Sequence, residues 1–190
     1  YYNIYRGTSP DNMEFIAKTS DIEYNDTSVE NGITYYYAVS AVGIVGESQL
    51  SNIVEGKPAG IPDKPWNISV ENGDGYVRLR WNEPYNGGEE IIFYRIYRGE
   101  LGNYTEYLDF SYSTEYIDYN VTNGQQYIYE ISAVNSIGES ERSDAVYAKP
   151  YGRPSKPLNL HGEVRDNSIY LYWSPPVNDG GSAILGYIIY

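Results

Sequence analysis

Few side chains in this sequence could carry out nucleophilic, acid–base or metal chemistry. The chain has no cysteine, which excludes cysteine nucleophiles, disulfide bonds and cysteine-based zinc sites. His161 is the only histidine, whereas a zinc site takes several histidine or cysteine ligands. We therefore expect His161 at a surface or edge position, and we expect neither a metal ion nor a cofactor.

Carboxylates are the remaining candidates for catalysis. None of them follows the spacing of a calcium-binding loop. Two carboxylates could act together on a glycosidic bond, but a small β-domain offers no deep cleft to raise the pKa of one of them. We predict that the chain is not an enzyme and has no catalytic residues. The carboxylates considered are Glu89, Glu90, Glu106, Asp109, Glu115, Asp118 and Asp144, with Glu89 and Glu90 expected in a solvated loop.

Two glycine pairs, Gly87-Gly88 and Gly180-Gly181, could belong to phosphate-binding loops. Such loops need the N-terminus of a helix behind the glycines. No helix is predicted, because Leu and Ala are scarce and the 24 tyrosines favour strands. We interpret both pairs as turn formers.

Charge and hydropathy exclude two classes of partner. The net charge of −13 repels phosphate backbones, so no nucleic-acid binding is expected. No stretch of about eighteen apolar residues occurs, so we predict no membrane insertion in this segment.

An internal repeat organises the chain. Lys57-Pro58 recurs as Lys149-Pro150, Asn31-Gly32 as Asn123-Gly124, Gly46-Glu47-Ser48 as Gly138-Glu139-Ser140, and Tyr5-Arg6-Gly7 as Tyr97-Arg98-Gly99, always 92 residues apart. The proline-rich segments 57–65 and 149–157 are predicted to be short, fairly stiff linkers. They divide the chain into a part-repeat at 1–59, a complete repeat at 60–151 and a part-repeat at 152–190.

The complete repeat shows the pattern of a β-sandwich, with strand segments separated by turn signals about every ten residues. Residues 76–81 alternate, with Val77, Leu79 and Trp81 on one face, which predicts a half-buried strand. Residues 91–97 and 127–133 are predicted strands as well. The inward positions are expected to be Ile92, Tyr94, Ile96, Tyr127, Tyr129, Ile131 and Ala133.

These motifs resemble the fibronectin type III pattern along essentially the whole chain. A tryptophan closes the second strand, at Trp81 and again at Trp173, and is followed by a proline and a Gly-Gly loop. A second motif runs from Gly124 through Tyr127, Ile131 and Ala133 to Ser140. The resemblance implies an all-β fold of tandem antiparallel β-sandwiches with seven strands per repeat. It also implies core roles for Trp81 and Trp173, and tyrosine corners at Tyr35 and Tyr127, in which the tyrosine bonds back to the backbone.

Two surface features bear on location and binding. Asn-x-Ser/Thr sequons at Asn25, Asn67, Asn103 and Asn120 favour a secreted or cell-surface glycoprotein. Surplus tyrosines such as Tyr97, Tyr104 and Tyr107 are expected to point outward from the sheet. There they could bind a protein or a glycan, or simply stabilise cross-strand pairs.

The two part-repeats carry complementary strands, the first lacking its two initial strands and the last carrying three. Either the sequence is a window of a longer periodic protein, or the last piece of one copy completes the first piece of the next in a head-to-tail filament.

We expect a non-catalytic structural array of an extracellular or cell-surface protein, acting as spacer, stalk or filament subunit. Its partners would be copies of itself or neighbouring repeats. An adhesion module that binds a protein or glycan, and an accessory array of a secreted hydrolase, are the alternatives.

Overall fold

A computed structural model describes residues 1–100 and 102–190, and their regular structure consists of β-strands. The chain forms two compact units. The first comprises Tyr1–Asp63, Tyr85–Ile92 and Val134–Ser140, and the second comprises Lys64–Pro84, Phe93–Ala133 and Glu141–Tyr190. Within the described residues there is no helix with the length and apolar character needed to cross a membrane.

One antiparallel sheet forms the regular part of the first unit. Its strands are β1 (Tyr2–Ser9), β2 (Asn12–Thr19), β3 (Tyr35–Gly43), β4 (Gly46–Glu47) and β5 (Val54–Gly56). The central strand β3 pairs with β1, β4 and β5, and β2 lies outside β1. Ile4 and Ala38 are almost fully buried. They lie on opposite faces of the sheet, because Ile4 pairs with Val39 and Ala38 pairs with Tyr5.

A two-sheet sandwich forms the middle of the chain. One sheet has the order β10-β7-β6 and the other the order β12-β11-β8-β9. The strands are β6 (Trp66–Gly73), β7 (Tyr76–Asn82), β8 (Phe93–Glu100), β9 (Glu106–Ser111), β10 (Glu115–Asp118), β11 (Tyr127–Val134) and β12 (Val146–Ala148). These seven strands confirm the predicted all-β fold class.

Alternating apolar side chains from both sheets form the core of the sandwich. Val77 and Leu79 of β7 are fully buried, as are Ile96 of β8 and Tyr129 and Ile131 of β11. Because successive residues of a strand point to opposite faces, the polar residues between them remain outside. Ile92 was expected in this core but is 51% exposed, because β8 begins only at Phe93.

Residues 152–190 form a two-stranded hairpin of β13 (Leu158–Arg165) and β14 (Ser168–Ser174). The third strand expected at 184–190 is not a strand in the structure. In the complete repeat the corresponding strand, β8, lies between β11 and β9. Residues 152–190 supply neither neighbour, so the backbone of 184–190 has no ladder to join.

Candidate functional site

Backbone hydrogen bonds hold the second proline-rich linker in place within the second unit. The Gly124 amide donates to the Pro150 carbonyl oxygen at 2.8 Å, and the Gly152 amide donates to the Gly180 carbonyl oxygen at 2.8 Å. We call the contact set of Gly124, Pro150, Gly152, Gly180 and Gly181 the second joint. It links the turn before β11, the linker and the Gly-Gly loop after β14.

Glycines are required at the second joint because backbone approaches backbone. A Cβ atom at Gly181 would lie 2.3 Å from the Gly124 amide nitrogen, and one at Gly180 would lie 2.1 Å from the Gly152 carbonyl oxygen. All three turn glycines, Gly124, Gly180 and Gly181, also have positive φ angles, a conformation that other residues seldom adopt. The interpretation of Gly180-Gly181 as turn formers did not include their close contact with the backbone of Gly124 and Gly152.

The turn between β6 and β7 joins the linker through side chains of the second unit. The Asn123 side-chain amide donates to Asp74 at 2.7 Å, and its oxygen accepts from the Gly75 amide at 2.9 Å. The Lys149 amide donates to the Asn72 side-chain oxygen at 2.9 Å. The linker therefore has hydrogen-bonding partners in the turn between β6 and β7 as well as in the two glycine turns.

The same joint occurs in the first unit. The Gly32 amide donates to the Pro58 carbonyl oxygen at 2.8 Å, and the Gly60 amide donates to the Gly87 carbonyl oxygen at 2.8 Å. We call the set of Gly32, Pro58, Gly60, Gly87 and Gly88 the first joint. Its members precede those of the second joint by 92 or 93 residues, so the sequence period is also a period of contacts.

Asn135 makes four side-chain hydrogen bonds, which connect Gly60 of the first joint to two neighbouring loops. Its side-chain nitrogen donates to the carbonyl oxygens of Gly60 at 2.8 Å and Asn86 at 2.9 Å. Its side-chain oxygen accepts from the amides of Ile137 at 2.9 Å and Gly138 at 3.0 Å. Only 3% of the residue is exposed. One buried side chain therefore holds the linker at Gly60 against two loops.

Comparison with known proteins agrees with the fold and the repeat. Residues 63–149 match the family model of the fibronectin type III domain. Myomesin-2 of Homo sapiens is 30% identical over an alignment that covers 95% of this chain and 13% of that protein. A kelch domain-containing protein of Saccharolobus solfataricus is 34% identical over 62% of this chain and 16% of that protein. The chain is a tandem fibronectin type III repeat protein.

Two further matches show how much of each protein is shared. Cardiac-type myosin-binding protein C of Gallus gallus is 32% identical over 80% of this chain and 12% of that protein. A solved structure of titin domains A168–A170 has 23% identity and a TM-score of 0.48, covering 77% of this chain and 54% of that one. A score of this size does not establish a shared arrangement of modules. The chain thus spans between 12% and 16% of the three sequence relatives.

The expected tyrosine corners lie at the start of β3 and β11 in the fibronectin type III repeats. The Tyr127 hydroxyl accepts a hydrogen bond from the Thr122 amide at 2.9 Å, and the Tyr35 hydroxyl accepts one from the Glu30 amide at 3.1 Å. Each phenol therefore satisfies a backbone donor five residues upstream. Both tyrosines are buried.

An ion pair with a buried carboxylate and a partly exposed guanidinium packs against the Tyr127 ring. Arg98 donates to Asp118 at 2.7 Å and to the Asn120 carbonyl oxygen at 2.7 Å. The Tyr129 hydroxyl donates to the same carboxylate at 2.8 Å. Burial, together with the hydrogen bond to Asp118, raises the pKa of Tyr129. Because Asp118 belongs to β10 and the other two to β8 and β11, the network ties the two sheets together.

The same network recurs 92 residues earlier, in the first unit. Arg6 donates to Asp26 at 2.7 Å, and the Tyr37 hydroxyl donates to Asp26 at 2.9 Å. Burial alone would raise the pKa of Asp26. The hydrogen bonds from the Ser28 hydroxyl and amide, Tyr37 and Arg6 outweigh burial and lower that pKa to about 2. Burial and the bond to Asp26 raise the pKa of Tyr37 to about 12.

The two tryptophans of the pattern differ in burial. Trp81 is 4% exposed and packs edge-on against Tyr94, with ring centroids 5.2 Å apart. Trp173 makes the corresponding contact with Tyr187, also at 5.2 Å, but is only half-buried. The contact is the same, although 184–190 has not become a strand.

The other predicted positions are at the surface or in ion pairs. All four sequon asparagines, Asn25, Asn67, Asn103 and Asn120, are exposed. His161 is exposed in β13 beside Tyr172. Glu89 pairs with Lys57, Glu115 with Arg80 and Asp144 with Lys64. Within residues 1–100 and 102–190, no three His, Asp or Glu side chains are grouped to hold a metal ion.

The surplus tyrosines are not all exposed. Tyr104 and Tyr107 are 96% and 56% exposed, but Tyr97 is only 7% exposed. The Arg142 guanidinium lies 3.7 Å from the Tyr97 ring centroid, and the Tyr107 ring meets Tyr97 edge-on. Tyr97 was expected to face solvent, and the cation above it explains why it does not.

Proposed function

We propose that the chain is a spacer segment of a structural protein, in which each linker is a packed joint rather than a flexible tether. The recurrence of the joint carries the proposal. The amides of Gly32 and Gly60 in the first joint, and of Gly124 and Gly152 in the second, donate to backbone carbonyls at the same 2.8 Å. Proline-rich linkers are already stiff, and these bonds restrict them further.

The family assignment supports a non-catalytic structural module. Two of the relatives have names from muscle biology, and one of them is named for binding myosin. By analogy, we propose that this chain works through contacts with other proteins and has no enzymatic activity of its own. The alternative of an accessory array of a secreted hydrolase concerns the rest of the protein and remains a hypothesis.

A secreted or cell-surface location remains a prediction. The exposed positions of the four sequon asparagines are compatible with glycosylation. The relatives named for muscle do not support an extracellular location. Mass spectrometry of the protein from its source would decide whether Asn25, Asn67, Asn103 or Asn120 carries a glycan.

Head-to-tail assembly is a separate part of the proposal. Residues 1–59 hold a sheet whose order corresponds to β9-β8-β11-β12, and residues 152–190 hold a hairpin that corresponds to β6-β7. Strands of one copy could therefore complete a sandwich with strands of another. Light scattering across a concentration series tests this. Growth in mass would support assembly, and a constant monomer mass would contradict it.

Amide hydrogen exchange of the 190-residue chain tests the joints directly. A packed joint protects the amides of Gly124 and Gly152, which have hydrogen-bond partners, whereas a flexible tether leaves them exchanging like exposed amides. Gly181→Ala places a methyl group on the Gly124 amide and should speed exchange at both sites. Gly75→Ala is the matched control, since Gly75 also has positive φ but nothing lies within 4 Å of its Cβ position. Fast exchange at Gly124 and Gly152 in the unchanged chain would refute the proposal.

A further inference from the structure

Asn-Gly pairs are sites at which a protein chain can modify itself with water as the only co-reactant. A base takes the proton of the glycine amide, and the amide nitrogen attacks the side-chain carbonyl carbon of the asparagine. Glycine has no side chain to obstruct this approach. The side-chain nitrogen leaves as ammonia, and water opens the resulting succinimide ring to aspartate or isoaspartate. The sequence has four such pairs, at Asn31-Gly32, Asn72-Gly73, Asn86-Gly87 and Asn123-Gly124.

The fold protects the glycine in three of these pairs. In the two joints, the amides of Gly32 and Gly124 donate to the carbonyl oxygens of the linker prolines at 2.8 Å. Gly73 pairs with Tyr76 between β6 and β7, and the Tyr76 ring covers it, since a Cβ atom at Gly73 would lie 2.0 Å from that ring. An amide nitrogen that is hydrogen-bonded can attack only after local opening of the structure.

The pair Asn86-Gly87 in the loop after β7 has no such protection. The Gly87 amide donates to no acceptor within residues 1–100 and 102–190, and the Asn86 side-chain nitrogen has no hydrogen-bond partner among them either. The Asn86 side-chain oxygen accepts from the Gly88 amide at 2.9 Å. This donor stabilises the negative charge that develops on the oxygen when the Gly87 nitrogen attacks. Gly87 is buried, but Asn86 is partly exposed, so water reaches the pair from the asparagine side.

The second unit shows how the same loop is protected when one residue differs. Gly180, the counterpart of Gly87, donates its amide to the Asn178 side-chain oxygen at 2.8 Å. In the first unit Tyr85 occupies the position of Asn178. The Tyr85 hydroxyl donates instead to the Asn31 carbonyl oxygen at 2.9 Å. The exchange of asparagine for tyrosine therefore leaves the Gly87 amide without the acceptor that its counterpart has.

We propose that Asn86 is a self-modification site, which converts to aspartate and isoaspartate through a succinimide with Gly87. Isoaspartate lengthens the main chain by one methylene group next to Gly87, where there is no room. A Cβ atom at Gly87 would already lie 2.3 Å from the Gly60 carbonyl oxygen and 2.5 Å from that of Ile61. The modification should therefore break the bond from the Gly60 amide to the Gly87 carbonyl oxygen and open the first joint.

Peptide mass spectrometry of the full 190-residue chain, aged in mildly alkaline buffer, tests the proposal. Fragmentation that distinguishes isoaspartate from aspartate reads every Asn-Gly pair in the same sample. We expect Asn86 to react about tenfold or more faster than Asn123, because the Gly124 amide must first lose a hydrogen bond. The same chain unfolded in urea is the reference, in which the pairs should react at similar rates because each has the same following residue.

Substitutions at Tyr85 test the cause of the reactivity. Tyr85→Asn supplies Gly87 with the acceptor that Asn178 gives Gly180, and it should slow the reaction at Asn86 about tenfold. Tyr85→Phe removes the hydroxyl without supplying an acceptor, and it should leave the rate unchanged. Because Tyr85 is 55% exposed, neither substitution disturbs a core.

Three results would overturn the proposal. These are equal rates at Asn86 and Asn123 in the folded chain, no reaction at Asn86 in a folded chain that reacts in urea, and an unchanged rate in Tyr85→Asn.

Hydrogen exchange of the aged chain tests the effect on the first joint. The Gly60 amide should exchange faster in molecules with isoaspartate at position 86, whereas the Gly152 amide of the second joint should keep its protection. Equal exchange at Gly60 in modified and unmodified molecules would contradict opening of the first joint. Fast exchange at Gly152 in both would instead contradict the packed joints of the proposed function, so the two failures are distinguishable.

Discussion

Gly32 and Gly88 pack backbone against backbone, and a methyl group on Gly88 would lie 2.3 Å from the Gly32 amide nitrogen. Because Gly88 also has a φ of 95°, alanine would meet both a steric clash and an unfavourable backbone conformation. We predict that Gly88→Ala destabilises the first unit by about 2 kcal/mol or more. Urea unfolding followed by residue-resolved NMR measures the loss.

Alanine substitutions at two other glycines measure the cost of backbone strain without a steric clash. Gly102 and Gly75 have φ angles of 91° and 74°, and nothing lies within 4 Å of their Cβ positions. Alanine there should cost only the conformational part, about 1 kcal/mol. If Gly88→Ala lowered the free energy of unfolding no more than these two substitutions, the close approach at the first joint would not contribute to stability.

The hydroxyl of Tyr129 should contribute measurably to stability. It donates to Asp118, and Tyr129 is fully buried while Asp118 is 2% exposed. Tyr129→Phe removes a donor from a buried charge, and we predict a loss of about 1.5–3 kcal/mol in the free energy of unfolding. Tyr116→Phe is the control, because its hydroxyl donates to Asp109 at an exposed position. Similar losses in both variants would show that burial of the network is unimportant.

Alternation and periodicity allowed much of the fold to be predicted. The 92-residue period and the pattern of Val77, Leu79 and Trp81 are local properties of the sequence. Burial follows from them because neighbouring strand residues face opposite sides of the sheet. The prediction that Ile92 is buried was wrong, because an apolar residue at the end of a pattern does not show where the β-ladder begins.

The joints and ion pairs could not be predicted in the same way. A Gly-Gly pair such as those containing Gly88 and Gly181 is compatible with several turn types, and nothing local indicates which backbone will approach it. Tyr97 is covered by Arg142, 45 residues away along the chain. Contacts of this kind depend on how elements pack, so they leave no local signal. The 92-residue recurrence of Arg6 at Arg98, of Asp26 at Asp118 and of Gly32 at Gly124 was an indication of shared roles, but it did not name the partners.

The first unit should lose stability in acid through Asp26. Its pKa is lowered from an ordinary value of 3.8 to about 2, so the carboxylate form is favoured in the folded state. The folded protein then gains stability from this group above pH about 4, and loses it as the pH falls towards about 2. We predict that the Asp26 side-chain carbon titrates near pH 2 by NMR.

The Tyr37 hydroxyl should account for part of the lowered pKa of Asp26. Tyr37→Phe removes the hydroxyl that donates to Asp26 at 2.9 Å, and the pKa of Asp26 should rise towards its ordinary value. Tyr36→Phe removes a neighbouring hydroxyl from the same strand and serves as control. Titration of the unchanged chain near pH 4, or an equal rise in both variants, would contradict the assignment.

Asn135 should be harder to replace than its position in a loop suggests. Asn135→Ala removes the donors to Gly60 and Asn86 and the acceptor for Ile137 and Gly138. Loss of partners in a buried site costs about 1–3 kcal/mol, because those backbone groups gain no water in exchange. Asn135→Asp tests the donor and acceptor roles of the side chain separately, since it keeps an acceptor and removes both donors. We predict that Asp preserves protection of the Gly138 amide, whereas Ala loses it, in hydrogen exchange. Equal protection in the two variants would mean that the backbone of the loop, and not the Asn135 side chain, holds its shape.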